Sequence, residues 1–287
     1  MAEHVTVYEV GPRDGLQNEK GFVPTEAKIA LIDLLSATGL TRIEATSFVS
    51  PKWVPQMADA AQVMAGIRRA PGIRYAALTP NLQGFAAAEA AGADEVAIFA
   101  SASEGFSRRN INASIAESLA RFAPVAVAAR AAGLPLRGYV SCVIECPYDG
   151  PVAPEAVAEV AAALFAMGAY EVSLGDTIGR GRPETVDRLL AHLAGRFDPA
   201  RLAGHFHDTG GHALANVAAA LGHGLRTFDS AIGGLGGCPY APGAKGNVST
   251  IPMVRMLEAA GWHTGLDLAA LARAEAFLST RIAEPAP

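Results

Sequence analysis

The stretch Met167-Gly168-Ala169-Tyr170-Glu171-Val172-Ser173-Leu174-Gly175-Asp176 ends a helix on a glycine, turns, and runs into an apolar strand that stops on a carboxylate. A glycine just past a helix supplies the left-handed cap that lets the chain reverse into the next strand. The same unit recurs along the chain. Ala37-Thr38-Gly39 precedes Arg42-Ile43-Glu44, Ala70-Pro71-Gly72 precedes Ile73-Arg74-Tyr75, and Ala91-Gly92 precedes Glu95-Val96-Ala97-Ile98. Ala132-Gly133 precedes Gly138-Tyr139-Val140, and His223-Gly224 precedes Thr227-Phe228. The spacing of about 20 to 40 residues is that of a strand plus a crossover helix.

Val5–Val10 reads as the first strand and Leu202–Phe206 as the seventh, which makes eight. Amphipathic periodicity predicts helices at Ala27–Leu35, Ile115–Ala131, Val157–Phe165 and Thr185–Leu193, with Pro183 at the first turn of the last. The fold class is therefore α/β, a (β/α)8 TIM barrel with an additional C-terminal helix over Leu266–Ile282. Residues 1–282 are expected to form one catalytic domain and 283–287 a frayed tail.

Composition narrows the function. The chain has 287 residues, 51% hydrophobic and 18% charged, enough for a large core. A net charge of −5 argues against a broad basic face for nucleic acid. No apolar run approaches the roughly 20 residues that span a bilayer. Three cysteines fit a reducing compartment better than a disulfide framework, and the opening Met1-Ala2-Glu3-His4 has no leader character. A cytoplasmic protein is expected.

Barrel enzymes place their chemistry at the C-terminal ends of the strands, and the chemistry-bearing residues sort to that end. Arg13-Asp14 follow strand one, Glu44 closes strand two, and Ser141-Cys142 close strand five. Asp176 ends strand six, His205 and His207 end strand seven, and Cys238 and Asn247 follow strand eight. The two histidines, one residue apart on a strand, leave the same face. Together Asp14, His205, His207 and Asn247 form a mixed N/O set suited to a divalent cation. Singly, each has a plainer reading: the histidines as hydrogen-bonded core residues, Asp14, Asn247 and Asp176 as turn formers, Arg13 with Glu44 as an ion pair. Cys238, in the glycine-rich loop Gly233–Pro239, is either an inert loop residue or a thiol on a closing loop. Cys142 and Cys146 read as structural or substrate-proximal.

These residues resemble the 3-hydroxy-3-methylglutaryl-CoA lyases, barrel lyases related to isopropylmalate synthase. The likeness runs through Gly11–Glu19, Ser47–Gln56, Asn110–Asn112, Cys146–Tyr148, Ser173–Thr177, His205–Thr209 and Gly233–Asn247. It implies Mg²⁺ or Mn²⁺ on Asp14, His205, His207 and Asn247, with catalytic roles for Cys238, Arg13, Asp176 and Glu44. It further implies an acyl-CoA substrate contacted by Arg13, Gln17, Ser47, Asn110, Asn112, Ser114, Cys142 and Ser173, and a homodimer. The chain departs from the family pattern at Glu145, Gly210 and His212, and at Ile251-Pro252, where an acidic residue is usual. The expected activity is cleavage of 3-hydroxy-3-methylglutaryl-CoA, or a close 3-hydroxy-3-alkylglutaryl-CoA, to acetyl-CoA and a 3-oxo acid. The alternatives are a condensing synthase or aldolase of the same barrel group, a metal hydrolase, and a non-catalytic acyl-CoA-binding barrel.

Overall fold

The computed structural model describes residues 3–19, 21–237 and 246–283. Eight parallel strands close a barrel in chain order: β1 (Thr6–Glu9), β2 (Arg42–Ser47), β3 (Arg74–Leu78), β4 (Glu95–Ser101), β5 (Leu136–Ser141), β8 (Glu171–Asp176), β9 (Leu202–Phe206) and β10 (Thr227–Ser230). The two intervening strands, β6 (Glu145–Cys146) and β7 (Gly150–Pro151), form a short antiparallel hairpin beside the mouth of the barrel. That hairpin carries no sequence signal strong enough to predict it. The glycines at 39, 72, 92, 133, 168 and 224 all adopt positive φ, between 68° and 103°, as the recurring cap requires.

The helices expected from periodicity all form, α5 (Ile115–Ala131) with the expected bounds and α1 (Thr25–Ser36), α6 (Pro154–Ala166) and α7 (Pro183–Ala194) slightly wider. The additional C-terminal helix, α10 (Leu268–Ala283), packs on α1 and on α9 (Thr250–Ala259). The strands turn one face outward against the helices, and that face is aliphatic and aromatic: Val7, Ile43, Val96, Ile98, Val140, Val172, Leu174, Phe206 and Phe228 belong to one continuous buried cluster. Each such side chain contributes on the order of 1.5–3 kcal/mol by leaving water. The alternate positions point into the barrel, where Tyr8, Glu44, Glu95, Arg137, Tyr139, Glu171, Ser173, His205 and Asp229 are all buried. This interior is a charged and hydrogen-bonded network, not the branched aliphatic filling common in such barrels.

Candidate metal centre

The loop after β1 tightens at once into a single wide turn over Gly11–Gly15, in which Arg13, Asp14 and Gly15 all direct their amides at the Val10 carbonyl. The turn delivers two adjacent side chains to the mouth. Arg13 donates from Nε to Glu44 on β2 at 2.6 Å and from Nη1 to Asp14 Oδ1 at 2.6 Å, leaving Nη2 outside both bonds. Behind the turn, the buried Glu9 carboxylate accepts from the Gly11 and Ile232 amides and from Thr250 Oγ1, at 2.7–2.9 Å. One side chain thus ties together the loops after β1 and β10 and the start of α9.

On β9 the histidines leave the same face, as their spacing requires. His205 Nε2 lies 3.3 Å from His207 Nε2 and 3.9 Å from Asp14 Oδ2. Ligand atoms of Asp14, His205 and His207 all fall within 4.8 Å of one another. Asn247 joins them from the far side: it bridges to His207 in an isolated antiparallel pair, and its Nδ2 donates to Asp14 Oδ2 at 2.8 Å and to the Leu235 carbonyl at 3.0 Å. Gly236, at φ 97°, permits this closeness, since a Cβ there would stand 2.5 Å from Asn247 Nδ2 and 3.2 Å from Asp14 Oδ2.

Three observations fit this cluster to a divalent cation. Neighbouring ligands on an ion at about 2.1 Å stand roughly 3 Å apart, close to the imidazole–imidazole spacing. Asn247 Oδ1 and His207 Nδ1 are buried with no hydrogen-bond partner among the described residues, which is costly unless another group uses the site. The protonation states of His207 and Asp14 agree as well. Burial, reinforced by His205, pushes His207 down to about 4, leaving it neutral with a free lone pair. Burial alone would raise the Asp14 carboxyl, but Arg13 and the two imidazoles outweigh it and hold it below the usual carboxylate range.

The remaining expected residues divide by location. Glu44 pairs with Arg13 as anticipated, and burial raises its carboxyl despite that pair. Asp176 ends β8 and is fully enclosed; burial lifts it to about 6, and both its oxygens accept from the backbone of its own loop, at Arg180 and Gly181. Ser173 donates to Asp229 at 2.7 Å. Ser47 is buried, with its hydroxyl 3.4 Å from the Leu78 carbonyl, and Gln17 is half-buried just after the Gly11–Gly15 turn. Cys142, at φ 59°, packs with Phe106 and Cys146. Asn110 is exposed near the end of α4 (Glu104–Ile111). Asn112 takes the left-handed cap of that helix, and Ser114 caps α5 in a reciprocal box with Glu117, so both shape a helix junction. Cys238 lies outside the described residues.

Two contributors escape a residue-by-residue reading. Asp229 on β10 is paired in register with His205 and binds its Nδ1 at 3.0 Å. That bond and charge lift His205 above its ordinary value although burial pulls it down. Tyr139 on β5 lays its ring beside Arg13 and edge-on to His205, with centroid distances of 5.5 and 6.1 Å. Strand parity puts both on inward positions of their strands, but which neighbour each one meets depends on the register of the assembled sheet.

A parallel barrel with a half-buried aspartate and two buried histidines gathered at its C-terminal mouth, beside an arginine held by two carboxylates, is a (β/α)8 protein with a candidate metal centre. The chain belongs to the HMGL-like family, which it matches over residues 4–278. It is 60% identical to the HMG-CoA lyase from Brucella melitensis, whose crystal structure superposes with a TM-score of 0.97 over 99% of this chain and 100% of that one. It is 55% identical over 278 residues to the hydroxymethylglutaryl-CoA lyase of Pseudomonas mevalonii, covering 97% of this chain and 92% of that protein. An HMG-CoA lyase from Acinetobacter baumannii, solved in complex with coenzyme A and 3-methylmalate, is 39% identical with a TM-score of 0.94, covering 99% of this chain and 93% of that one. No helix among the described residues is long and apolar enough to cross a membrane.

Proposed function

We propose that this chain is a divalent-metal-dependent carbon–carbon lyase that cleaves 3-hydroxy-3-methylglutaryl-CoA, or a close 3-hydroxy-3-alkylglutaryl-CoA, to acetyl-CoA and acetoacetate or the matching 3-oxo acid. The observation that carries the reading is the convergence of Asp14, His205 and His207 from two strand ends onto one point beside Arg13. Family membership and the lyase names of its relatives support the same reaction.

Asp14, His205 and His207, with Asn247 Oδ1, which has no hydrogen-bond partner among the described residues, would hold Mg²⁺ or Mn²⁺. Such a cation, when bound, supplies Lewis acidity that lowers the pKa of a substrate alcohol and gathers its oxygens. In the cleavage the tertiary hydroxyl loses its proton, its oxygen becomes the ketone, and the C2–C3 electron pair passes to the thioester as an enolate. The enolate then takes a proton at carbon. Arg13 is placed to stabilise the enolate oxygen: Glu44 and Asp14 fix the guanidinium plane, and Nη2 remains outside those bonds. The acid–base group is Cys238, a role that rests on the resemblance of its Gly-Gly-Cys-Pro-Tyr loop. Asp176 is the assisting carboxyl; at about 6 it is in the range where such a group trades protons at neutral pH. A cytoplasmic setting accords with the odd number of cysteines in the chain.

Incubation with Mg²⁺ and 3-hydroxy-3-methylglutaryl-CoA should release acetoacetate and acetyl-CoA in equal amounts, and chelation should stop it. Inertness toward every branched 3-hydroxyglutaryl-CoA, together with condensation of acetyl-CoA onto a 2-oxo acid, would replace the lyase with a synthase.

A further inference from the structure

Among the described residues Asp229 touches the cation cluster only through His205, yet it accepts more hydrogen bonds than Asp14 does. Its Oδ2 receives His205 Nδ1 at 3.0 Å, Ser173 Oγ at 2.7 Å and Arg137 Nη1 at 3.1 Å, while Oδ1 receives Arg137 Nη2 at 2.7 Å. Arg137 is fully buried. Its Nε donates to Glu171 at 2.8 Å, and its guanidinium lies over the rings of Tyr8 and Tyr139, at 4.0 and 4.9 Å. Glu171 in turn receives Arg42 from the start of β2, with both oxygens at 3.2 Å. A chain of charge-assisted bonds therefore runs up the barrel interior, Arg42–Glu171–Arg137–Asp229–His205, from the end opposite the mouth.

The geometry of that chain is restrictive. A two-pronged guanidinium fixes the plane of the Asp229 carboxylate. With three donors converging on Oδ2, no rotation of the carboxylate keeps all of them satisfied. Asp229 in this one orientation demands a proton on His205 Nδ1, which leaves the Nε2 lone pair facing Asp14 and His207. A buried ion chain adds little net stability over well-packed apolar side chains, so stability alone does not account for it.

We infer that Arg137 is a positioning residue for the cation site: by clamping Asp229 it sets the tautomer and ring orientation of His205, and so the affinity for the ion. This rests on the metal reading given above. The test measures Mn²⁺ affinity of the metal-free full-length chain by electron paramagnetic resonance, beside the melting temperature of each variant. Arg137→Met should bind Mn²⁺ about 10- to 100-fold more weakly, the range for outer partners of metal-bound histidines. Ser173→Ala, which removes one donor from Asp229 and no charge, should weaken binding at least about threefold by the same argument. Glu95→Gln is the control, because Glu95 bonds Tyr8 and Tyr170 deep in the barrel and shares no hydrogen bond with Arg137 or Asp229 among the described residues; its affinity should stay at the parent value. Folded Arg137→Met with parent affinity, whatever its melting temperature, overturns the inference. If Arg137→Met does not fold, Ser173→Ala decides, and parent affinity in that variant overturns it equally. A parent chain that takes up no Mn²⁺ would instead remove the metal reading itself.

Discussion

The two faces of the barrel wall are made of opposite chemistry. Outward, Val7, Ile43, Ile98, Val172 and Phe228 meet the helices in an apolar layer; inward, Arg137, Glu171, Ser173 and Asp229 bond to one another, Arg137 lies over the Tyr8 ring, and Glu44 holds Arg13. Both faces are equally buried, so exposure does not distinguish them. What differs is how each fails. The outer layer holds the fold through area removed from water, and its members can be traded for others of similar volume. The inner layer holds orientation, because most of its polar groups have specific partners and lose them if they move. Stability therefore belongs mainly to one face and function to the other, and substitutions on the two should separate cleanly.

The sharpest separation is expected at His207. It is neutral and its Nδ1 has no partner among the described residues, so its removal strands no charge. His207→Ala should leave the melting temperature near that of the parent while turnover falls by about 10³ or more, since a bound cation supplies several kcal/mol to such chemistry. A variant that melts early and keeps its turnover would erase the contrast.

Ile98→Ala tests the outer face. Ile98 is fully buried between β4 and the helices, and the truncation should cost about 2–5 kcal/mol in denaturant unfolding with kcat unchanged.

The smallest effect is expected from Glu9, which lies where the two faces meet the loops. Burial raises its carboxyl to about 7, against the partial relief of three hydrogen bonds. The folded chain then keeps a proton that the unfolded chain, with a carboxyl near 4.5, has released. Stability accordingly falls as the pH climbs from about 4.5 to 7, by at most about 3 kcal/mol. Glu9→Gln should flatten that slope and make the protein more stable than the parent at pH 8.

The outer face was the more legible in sequence. The glycine-to-strand unit located six of the eight strands, and the apolar runs at Val5–Val10 and Leu202–Phe206 gave the other two, because a left-handed cap and an apolar run are local features. The candidate ligands were legible for a similar reason: His205 and His207 share a face by strand parity alone, and Asp14 and Asn247 lie just past strand ends. The support behind them was not. Asp229 reaches His205 because β9 and β10 align those two residues, and Arg137 reaches Asp229 across the barrel; register and closure are properties of the assembled sheet. The same limit explains Ser173, expected on the substrate side and found bonded to Asp229, and the helix-junction roles of Asn112 and Ser114. A hydroxyl or amide in sequence does not say which neighbour will claim it.

Pulsed electron paramagnetic resonance on the Mn²⁺-loaded chain examines the cation site most directly, by counting the nitrogens bound to the ion. One Mn²⁺ per chain coupled to two imidazole nitrogens, with one coupling lost in His205→Ala and one in His207→Ala, is the predicted outcome. An ion with no imidazole coupling, or with couplings that survive both substitutions, would contradict the account.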